Sequence, residues 1–366
     1  MKLIFTSYVS TPEYIIPGEW LKRIDAYTGI LESLSNDHTV IGIERINYEG
    51  AYEKNGVQYL FIRLKQKTVR FPFRMHRLIK KLQPDIVFVN GFIFPLQTIQ
   101  LRLKLGKAAK IIILHRGEKP YTGIRRFLQK LADKSINAYL FTSAEFGATW
   151  IKHGNISNQN KIHEIIQASS VFYPQERSSA KSILGVKGLP VFLWVGRLDV
   201  NKDPVTVVKA FSEFLKFQPG ATLYMIYHTE MLLQEVSNLI KSDSKASTAI
   251  KLVGKIQHDD LQAWFNAADF IISGSHHEGS GVAVCEGMSC GCIPVITDII
   301  SFRKMTGPGK CGLLYKPGDD KDLLAALLKT RDLDIETESA KALQQFKDEL
   351  SFEAIAKKIN KVINSC

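Results

Sequence analysis

One loop, Ser273-Gly-Ser-His-His-Glu-Gly-Ser-Gly281, joins an apolar run to a segment of helical period. The run before it, Phe270–Ser273, is apolar on both faces, as buried parallel strands are. Val282–Cys290 follows with the spacing of a helix, and Ile293–Thr297 is again strand-like. A strand, a glycine-rich loop, a helix and a second strand predict a βαβ unit, with the loop at the carboxyl edge of a parallel sheet.

The same alternation of short apolar runs and helical segments occupies the rest of the chain. Strands are predicted at Asp85–Val89, Lys110–Leu114, Asn137–Phe141, Val191–Val195, Thr222–Tyr227 and Ile250–Val253. Helices are predicted at Glu19–Ser35, Phe73–Leu82, Pro95–Leu105, Gly123–Ser135, Ser143–His153, Pro204–Phe217 and Asp259–Ala268. A β/α order of this kind predicts an α/β fold with doubly wound sheets.

The chain has 366 residues, which is enough for two domains of ordinary size. The alternation is interrupted at Pro174 and a nearby pair of serines, and restarts after them. We therefore predict two Rossmann-like domains at residues 1–175 and 176–350, with a last segment at residues 351–366.

The charge is unevenly distributed between the halves. Residues 1–175 contain 25 Lys and Arg against 13 Asp and Glu, whereas residues 176–366 contain 23 of each, so the first half carries the whole net charge of +12. Nine cations and no acidic residue lie between Glu53 and Asp85: Lys54, Arg63, Lys65, Lys67, Arg70, Arg74, Arg77, Lys80 and Lys81. Phe73–Leu82 has the basic and apolar residues of an interfacial helix, and peripheral contact with an anionic membrane is one expectation. The alternative is a solvated basic helix whose apolar residues pack inward.

The apolar segments indicate where the protein is located in the cell, and the cysteines and aspartates indicate whether it binds a metal. The longest run without a charge, Ile86–Leu101, contains polar residues and a proline, and the N-terminus lacks a secretory apolar region, so a cytoplasmic protein is expected. The five cysteines show no zinc-ligand spacing and are expected to be reduced. Asp332 and Asp334 form an Asp-x-Asp pattern between helices, where solvated surface is expected. No metal site is predicted.

Two loops that follow predicted strands contain the candidate ligand-binding residues. In Gly196-Arg-Leu-Asp-Val-Asn-Lys-Asp-Pro204, Arg197 and Lys202 stand where a ligand of an open sheet binds, and both side chains suit a phosphate. Surface cations around a turn are the alternative. In the Ser273–Gly281 loop, glycines allow close approach of backbone, and the following helix start favours an anion.

Two glutamates accompany the second loop. Glu278 lies in the loop and Glu286 lies eight positions later, on the second turn of the helix, so both can face one ligand. Glu286 stands among Val284, Cys285 and Met288, which favours a specific partner over solvent. Ordinary loop histidine is the favoured interpretation for at least one of His276 and His277.

These motifs resemble those of retaining glycosyltransferase family four, which has the GT-B architecture of two Rossmann-like domains facing a central cleft. The similarity covers roughly residues 190–320 and includes Gly196-Arg-Leu with Lys202, Glu278 and Glu286 as a Glu-x7-Glu signature, Cys292–Ile296 and Gly312–Asp319. It implies transfer of a sugar from a nucleoside diphosphate sugar, UDP more than GDP, to a glycan or lipid-linked acceptor. A retaining, metal-independent hexosyltransferase of surface polysaccharide or glycoconjugate synthesis is the implied function.

The resemblance also implies a role for each site residue. Arg197 and Lys202 would hold the donor diphosphate, Glu286 the ribose and Glu278 the donor sugar. Backbone at Gly196, Gly281 and Val282 would approach the donor, Val253 and Lys255 would lie beside the base, and His115 would contact the sugar or acceptor. The final helix, Phe352–Ile363, would cross back to the first domain.

Other classes of function stay open at this point. A nucleotide-sugar epimerase of the same architecture is one alternative, although it lacks the Glu-x7-Glu helix. A non-catalytic nucleotide-sugar-binding relative is another, and Glu278 argues against it. Binding of nucleic acid by the basic half has only its charge in favour, so no nucleic-acid partner is predicted.

Overall fold

The computed structural model describes residues 1–63 and 70–365 and separates the chain into two compact units. Unit 1 comprises Met1–Gln167 with the segment that begins at Phe352, and unit 2 comprises Ala168–Ser351. The division of the chain falls between residues 167 and 168, whereas the sequence predicts it between residues 175 and 176. The segment that begins at Phe352 is grouped with unit 1.

Unit 1 is built on an eight-stranded sheet of order β3-β4-β2-β1-β5-β6-β7-β8. Its strands are β1 (Lys2–Thr6), β2 (Thr39–Glu44), β3 (Gly50–Lys54), β4 (Val57–Phe61), β5 (Ile86–Asn90), β6 (Lys110–Leu114), β7 (Ala138–Phe141) and β8 (Ile162–Glu164). The edge strand β3 runs antiparallel to β4, and the other neighbours pair in parallel. Such a sheet needs helices on both faces.

Helices cover both faces of this sheet. They are α1 (Pro17–Arg23), α2 (Asp25–Ser35), α3 (Phe73–Leu82), α4 (Pro95–Leu105), α5 (Gly123–Asp133), α6 (Ala144–Lys152) and, from the end of the chain, α16 (Phe352–Ser365). One core contains Leu31 of α2 and Ile359 of α16, and the other contains Met75 of α3 and Leu101 of α4. The predicted helix at 19–35 is two helices, because the backbone leaves the helical region at Ile24 (φ −112°, ψ 25°).

Unit 2 is built on a six-stranded parallel sheet of order β11-β10-β9-β12-β13-β14. Its strands are β9 (Val191–Gly196), β10 (Thr222–Tyr227), β11 (Ile250–Gly254), β12 (Phe270–Ser273), β13 (Ile293–Thr297) and β14 (Leu313–Tyr315). Its helices are α7 (Arg177–Leu184), α8 (Pro204–Phe214), α9 (Leu233–Lys241), α10 (Ser244–Ala249), α11 (Leu261–Ala267), α12 (Val282–Ser289), α13 (Ile300–Thr306), α14 (Asp320–Lys329) and α15 (Ile335–Gln345). Two apolar clusters, one on each face, bury the strands.

The basic helix α3 packs its apolar side inward. Met75 and Ile79 are fully buried against the sheet, while Phe73 is 62% exposed beside the helix's cations. Lys65 and Lys67 of the basic stretch lie outside the described residues. No helix in the described ranges is long and apolar enough to cross a bilayer.

Candidate nucleotide-sugar site

The candidate site lies where the strand order of unit 2 reverses. From β9 the chain continues to β10 and β11 on one side, and then returns to β12, β13 and β14 on the other. β9 and β12 are direct neighbours, with Leu193 opposite Ile271. The loops that follow these two strands therefore emerge side by side, at the position where open α/β sheets bind ligands.

The loop after β9 is shaped by its own polar groups. The carboxylate of Asp199 accepts a hydrogen bond from Lys202 N at 2.9 Å and pairs with Arg197 Nη2 at 3.1 Å. Asp203 adopts a left-handed conformation (φ 42°) and caps α8, since its carboxylate accepts from Thr206 N at 3.1 Å. The loop thus holds Lys202 in a fixed place, whereas the Arg197 side chain is about half exposed.

The loop after β12 is tied to the first loop. His276 N donates to Asn201 O at 2.8 Å, and Asn201 Nδ2 donates to His277 O at 3.0 Å. Gly274 permits this contact, because a Cβ there would come within 2.8 Å of Asp203 O. His276 Nε2 also lies 3.2 Å from a carboxylate oxygen of Asp203, so this histidine joins the two loops.

Lys202 and Glu278 meet between these loops. Lys202 Nζ forms an ion pair with Glu278 Oε1, and the two side chains are 22% and 13% exposed. They line one small pocket with Gly281 and apolar side chains that include Ile272 and Phe302. A mostly desolvated cation and carboxylate, side by side, can bind opposite parts of a polar anionic ligand.

Helix α12 begins at this pocket. Gly281, at its N-cap, has φ 56°, and a Cβ there would lie 2.6 Å from Phe302 Cε1, so glycine is required twice over. Val282 begins the helix and is 43% exposed. The first N–H groups of a helix have no acceptor within it, and here they follow the Glu278 loop.

Glu286 lies on the second turn of α12 and is 5% exposed. Its Oε1 is 2.7 Å from Nε2 of His258, whose ring packs on Phe172 with centroids 5.0 Å apart. The sequence predicts a specific partner for the Glu286 carboxylate, and in the structure that partner is His258. Sequence reasoning missed His258, although it follows β11 by four residues, in the loop where Val253 and Lys255 were expected to meet the base.

Val253 and Lys255 differ in setting. Val253 is half-buried and packs against an apolar cluster of unit 2, while Lys255 is exposed. Asp332 and Asp334 are both exposed, and Asp334 accepts from Thr337 Oγ1 at 2.5 Å.

His115 belongs to unit 1 and is 2% exposed. Its Nε2 lies 2.9 Å from Glu118 O, and its ring packs on Phe141 with centroids 4.6 Å apart. The carboxylate of Glu118 accepts from Phe92 N at 2.8 Å and Arg116 N at 2.7 Å, which fixes the turn after β6. The surroundings of His115 are those of a packed core residue at a strand end.

Residues 176–349, which contain both loops and both glutamates, match the model of the family described as glycosyl transferases group 1. This part of the chain belongs to that family. The group 1 glycosyltransferase match covers nearly all of unit 2 and none of the first 175 residues.

Curated relatives agree with this membership. The chain is 25% identical over 209 residues to D-inositol 3-phosphate glycosyltransferase of Pseudarthrobacter chlorophenolicus, covering 56% of this chain and 50% of the relative. It is 30% identical over 150 residues to GDP-mannose:cellobiosyl-diphosphopolyprenol alpha-mannosyltransferase of Xanthomonas oryzae pv. oryzae, covering 40% and 39%. The chain thus spans half or less of the length of these two relatives.

Solved structures show the fold over the whole chain. HepE of Anabaena, solved with UDP, has a TM-score of 0.76 at 15% identity, with 100% of each chain covered. A glycosyltransferase of Rickettsia africae has a TM-score of 0.75 at 17% identity, covering 100% of this chain and 98% of that one. The fold is therefore the GT-B class of two Rossmann-like domains, as the sequence predicts.

Proposed function

We propose that this group 1 glycosyltransferase moves a hexosyl residue from a nucleoside diphosphate sugar, UDP more than GDP, to a glycan or lipid-linked acceptor. The reaction would retain the anomeric configuration, need no metal, and serve surface polysaccharide or glycoconjugate synthesis. The observation that carries the proposal is the meeting of Lys202 and Glu278 at the switch point of the sheet, beside the start of α12. Relatives whose names include GDP-mannose and structures solved with UDP-glucose support the donor class.

The cations would act on the leaving group. When the bond between the anomeric carbon and the diphosphate breaks, negative charge grows on the diphosphate oxygens. Lys202 is held in place before the reaction, and Arg197 would turn from Asp199 towards the phosphates. Fixed positive charge stabilises such a transition state without a metal, because little reorganisation is needed.

The carboxylates would hold the rest of the donor. Glu278 would accept hydrogen bonds from sugar hydroxyls, and Glu286, positioned by His258, would accept those of the ribose. The acceptor oxygen would bond to the anomeric carbon on the face that the diphosphate leaves, and its proton would pass to the leaving phosphate. No enzyme carboxylate is then needed as a nucleophile, unlike in a retaining glycosidase.

A donor screen followed by product analysis tests this proposal. We expect one of the UDP, GDP or ADP sugars, at a hundred times its Kd, to stabilise the protein by about 2.7 kcal/mol in the presence of EDTA. With that donor and a lipid-linked oligosaccharide fraction, NMR of the product should show the anomeric configuration of the donor. Arg197→Ala should lower turnover by about two to three orders of magnitude. No stabilisation by any donor, inversion, or a metal requirement would contradict the proposal.

A further inference from the structure

Helix α5 turns polar side chains towards the interior of unit 1 and large apolar side chains towards solvent. Its inward side contains Gln129, Ala132 and Asp133, which are at most 2% exposed. Its outward side contains Ile124, Phe127 and Leu131, which are 81%, 62% and 37% exposed. The spacing of these three positions places them on one face of the helix. A helix that only covers a sheet normally turns its apolar side inward, so this outward face needs a partner.

Polar contacts explain how α5 can stay in place in this orientation. Asp133 Oδ1 accepts from Tyr139 OH at 2.8 Å, and Asp133 Oδ2 accepts from Ser157 Oγ at 2.5 Å. Lys161 Nζ pairs with the same carboxylate at 3.1 Å. The helix is therefore anchored through hydrogen bonds, which leaves its large apolar side chains available for an external surface.

The neighbouring helices extend the same face. α4 packs against both α3 and α5, and it exposes 79% of Leu103. A groove of about 400 Å³ between α3 and α4 is lined by Phe73, His76, Arg77, Gln100, Leu103 and Lys104. Phe73 and Leu103 supply apolar walls, and Arg77 and Lys104 supply positive charge. This groove has the size of a small-molecule site.

The exposed charges on α3, α4 and α5 themselves are all positive, and one of them, Arg74, is paired with the exposed carboxylate of Glu49, which lies outside these helices. α3, α4 and α5 are wholly described, and the single acidic residue in them, Asp133, is buried. The exposed cations of the three helices are Arg74, Arg77, Lys80, Lys81, Lys104, Arg125, Arg126 and Lys130. Apolar side chains flanked by cations complement a surface that presents acyl chains below anionic headgroups.

We propose that the outward face of α3, α4 and α5 docks on an anionic phospholipid bilayer, with α5 lying in the interface and the groove between α3 and α4 holding one lipid. Ile124, Phe127 and Leu131 would enter the acyl boundary. Arg125, Arg126 and Lys130 would contact headgroup phosphates, as Arg77 and Lys104 would in the groove. This differs from docking through α3 alone, since Met75 and Ile79 of that helix are buried in the core.

Co-sedimentation of the full chain with vesicles tests the proposal. The chain should bind vesicles that contain phosphatidylglycerol at least tenfold more tightly than vesicles of phosphatidylcholine alone, and high salt should weaken binding. Ile124→Gln with Phe127→Gln should reduce binding at least tenfold. Ile183→Gln with Met231→Gln is the matched control, because these side chains are 79% and 75% exposed in unit 2, and binding should be unchanged.

Charge variants and a fluorescent probe complete the test. Each of Arg125→Gln, Arg126→Gln and Lys104→Gln should reduce binding about fivefold, which corresponds to about 1 kcal/mol per cation. The Phe127→Trp variant should show a blue shift and quenching by brominated lipid when vesicles are added. Equal binding by the α5 variant and its control, or an indole of the Phe127→Trp variant that stays exposed to solvent on bound protein, would overturn the proposal. Self-association without lipid that the α5 variant abolishes would also overturn it.

Discussion

The Lys202→Met variant tests whether Lys202 acts in catalysis or only stabilises the folded loops. The Lys202–Glu278 pair is mostly but not fully buried, at 22% and 13% exposure. Exposed pairs contribute about 0.2–1 kcal/mol, and breaking a buried pair costs about 3–5 kcal/mol. Lys202→Met should therefore lower the free energy of unfolding by about 2 kcal/mol, since it leaves the Glu278 carboxylate unpaired in an apolar pocket.

The double variant distinguishes the two roles. Adding Glu278→Gln removes the unpaired carboxylate, so the free energy of unfolding should return to within about 1 kcal/mol of the original value. Turnover should not return, because under the proposed function Lys202 and Glu278 would bind different parts of the donor. We expect a loss of about two to three orders of magnitude in Lys202→Met and a further loss in the double variant.

Urea denaturation measures stability and steady-state release of nucleoside diphosphate measures turnover, each on the same three proteins: the unaltered chain, Lys202→Met and the double variant. Recovery of turnover together with stability in the double variant would contradict a catalytic role for Lys202, because it would make the ion pair a structural link between the loops. A loss of turnover with no recovery of stability in the double variant would show that the unpaired Glu278 carboxylate is not what destabilises Lys202→Met.

Three further predictions concern other positions. Glu286→Ala should weaken binding of free UDP and UDP-sugar alike. His258→Ala should weaken both to a smaller extent, because His258 would only orient the Glu286 carboxylate. Equilibrium dialysis of both ligands measures these affinities, and an effect of Glu286→Ala on the sugar donor alone would contradict the prediction. Burial raises the pKa of Glu44 from 4.5 to about 7, although a hydrogen bond from Trp20 opposes the shift. Between about pH 4.5 and 7 the folded state therefore keeps a proton that the unfolded chain releases. The free energy of unfolding falls as the pH rises through this range. Glu44→Gln should therefore raise the melting temperature at pH 8 and leave it unchanged near pH 4, and an equal shift at both pH values would count against it. Gly281→Ala should cost about 1–3 kcal/mol in urea denaturation because its φ is 56° and Phe302 lies against it, and an unaltered midpoint would show that the α12 start relaxes freely.

The sequence predicts unit 2 better than unit 1, and the reason is physical. Strands such as β9 and β12 are buried on both faces, so each is a continuous apolar run with a loop of distinctive composition after it. β3 is mostly exposed and contains Tyr52, Glu53 and Lys54, so its composition does not distinguish it from a loop. The break between α1 and α2 at Ile24 also has no glycine or proline to mark it.

The site residues show the same contrast. Arg197, Lys202 and Glu278 lie in loops next to predicted strand ends, and neighbouring strands bring the loops together, so their proximity follows from the βαβ order. His258 reaches Glu286 across 28 positions through the packing of the turn after β11 on α12, which no local pattern encodes. The reversed polarity of α5 depends on Tyr139 and Ser157, which lie on other elements, and its helical period alone does not say which side faces the sheet.

Calorimetric titration of a nucleoside diphosphate in EDTA tests most directly whether the donor diphosphate binds between the β9 and β12 loops. UDP should bind the unaltered chain, and Lys202→Met should weaken that binding at least tenfold. Lys209→Met, which removes an exposed cation from the adjacent helix α8, is the matched control and should bind as tightly as the unaltered chain. GDP and ADP titrated in the same way establish the base. Equal affinity of the Lys202→Met and Lys209→Met variants for the diphosphate that binds, or no binding of any of the three, would contradict the account.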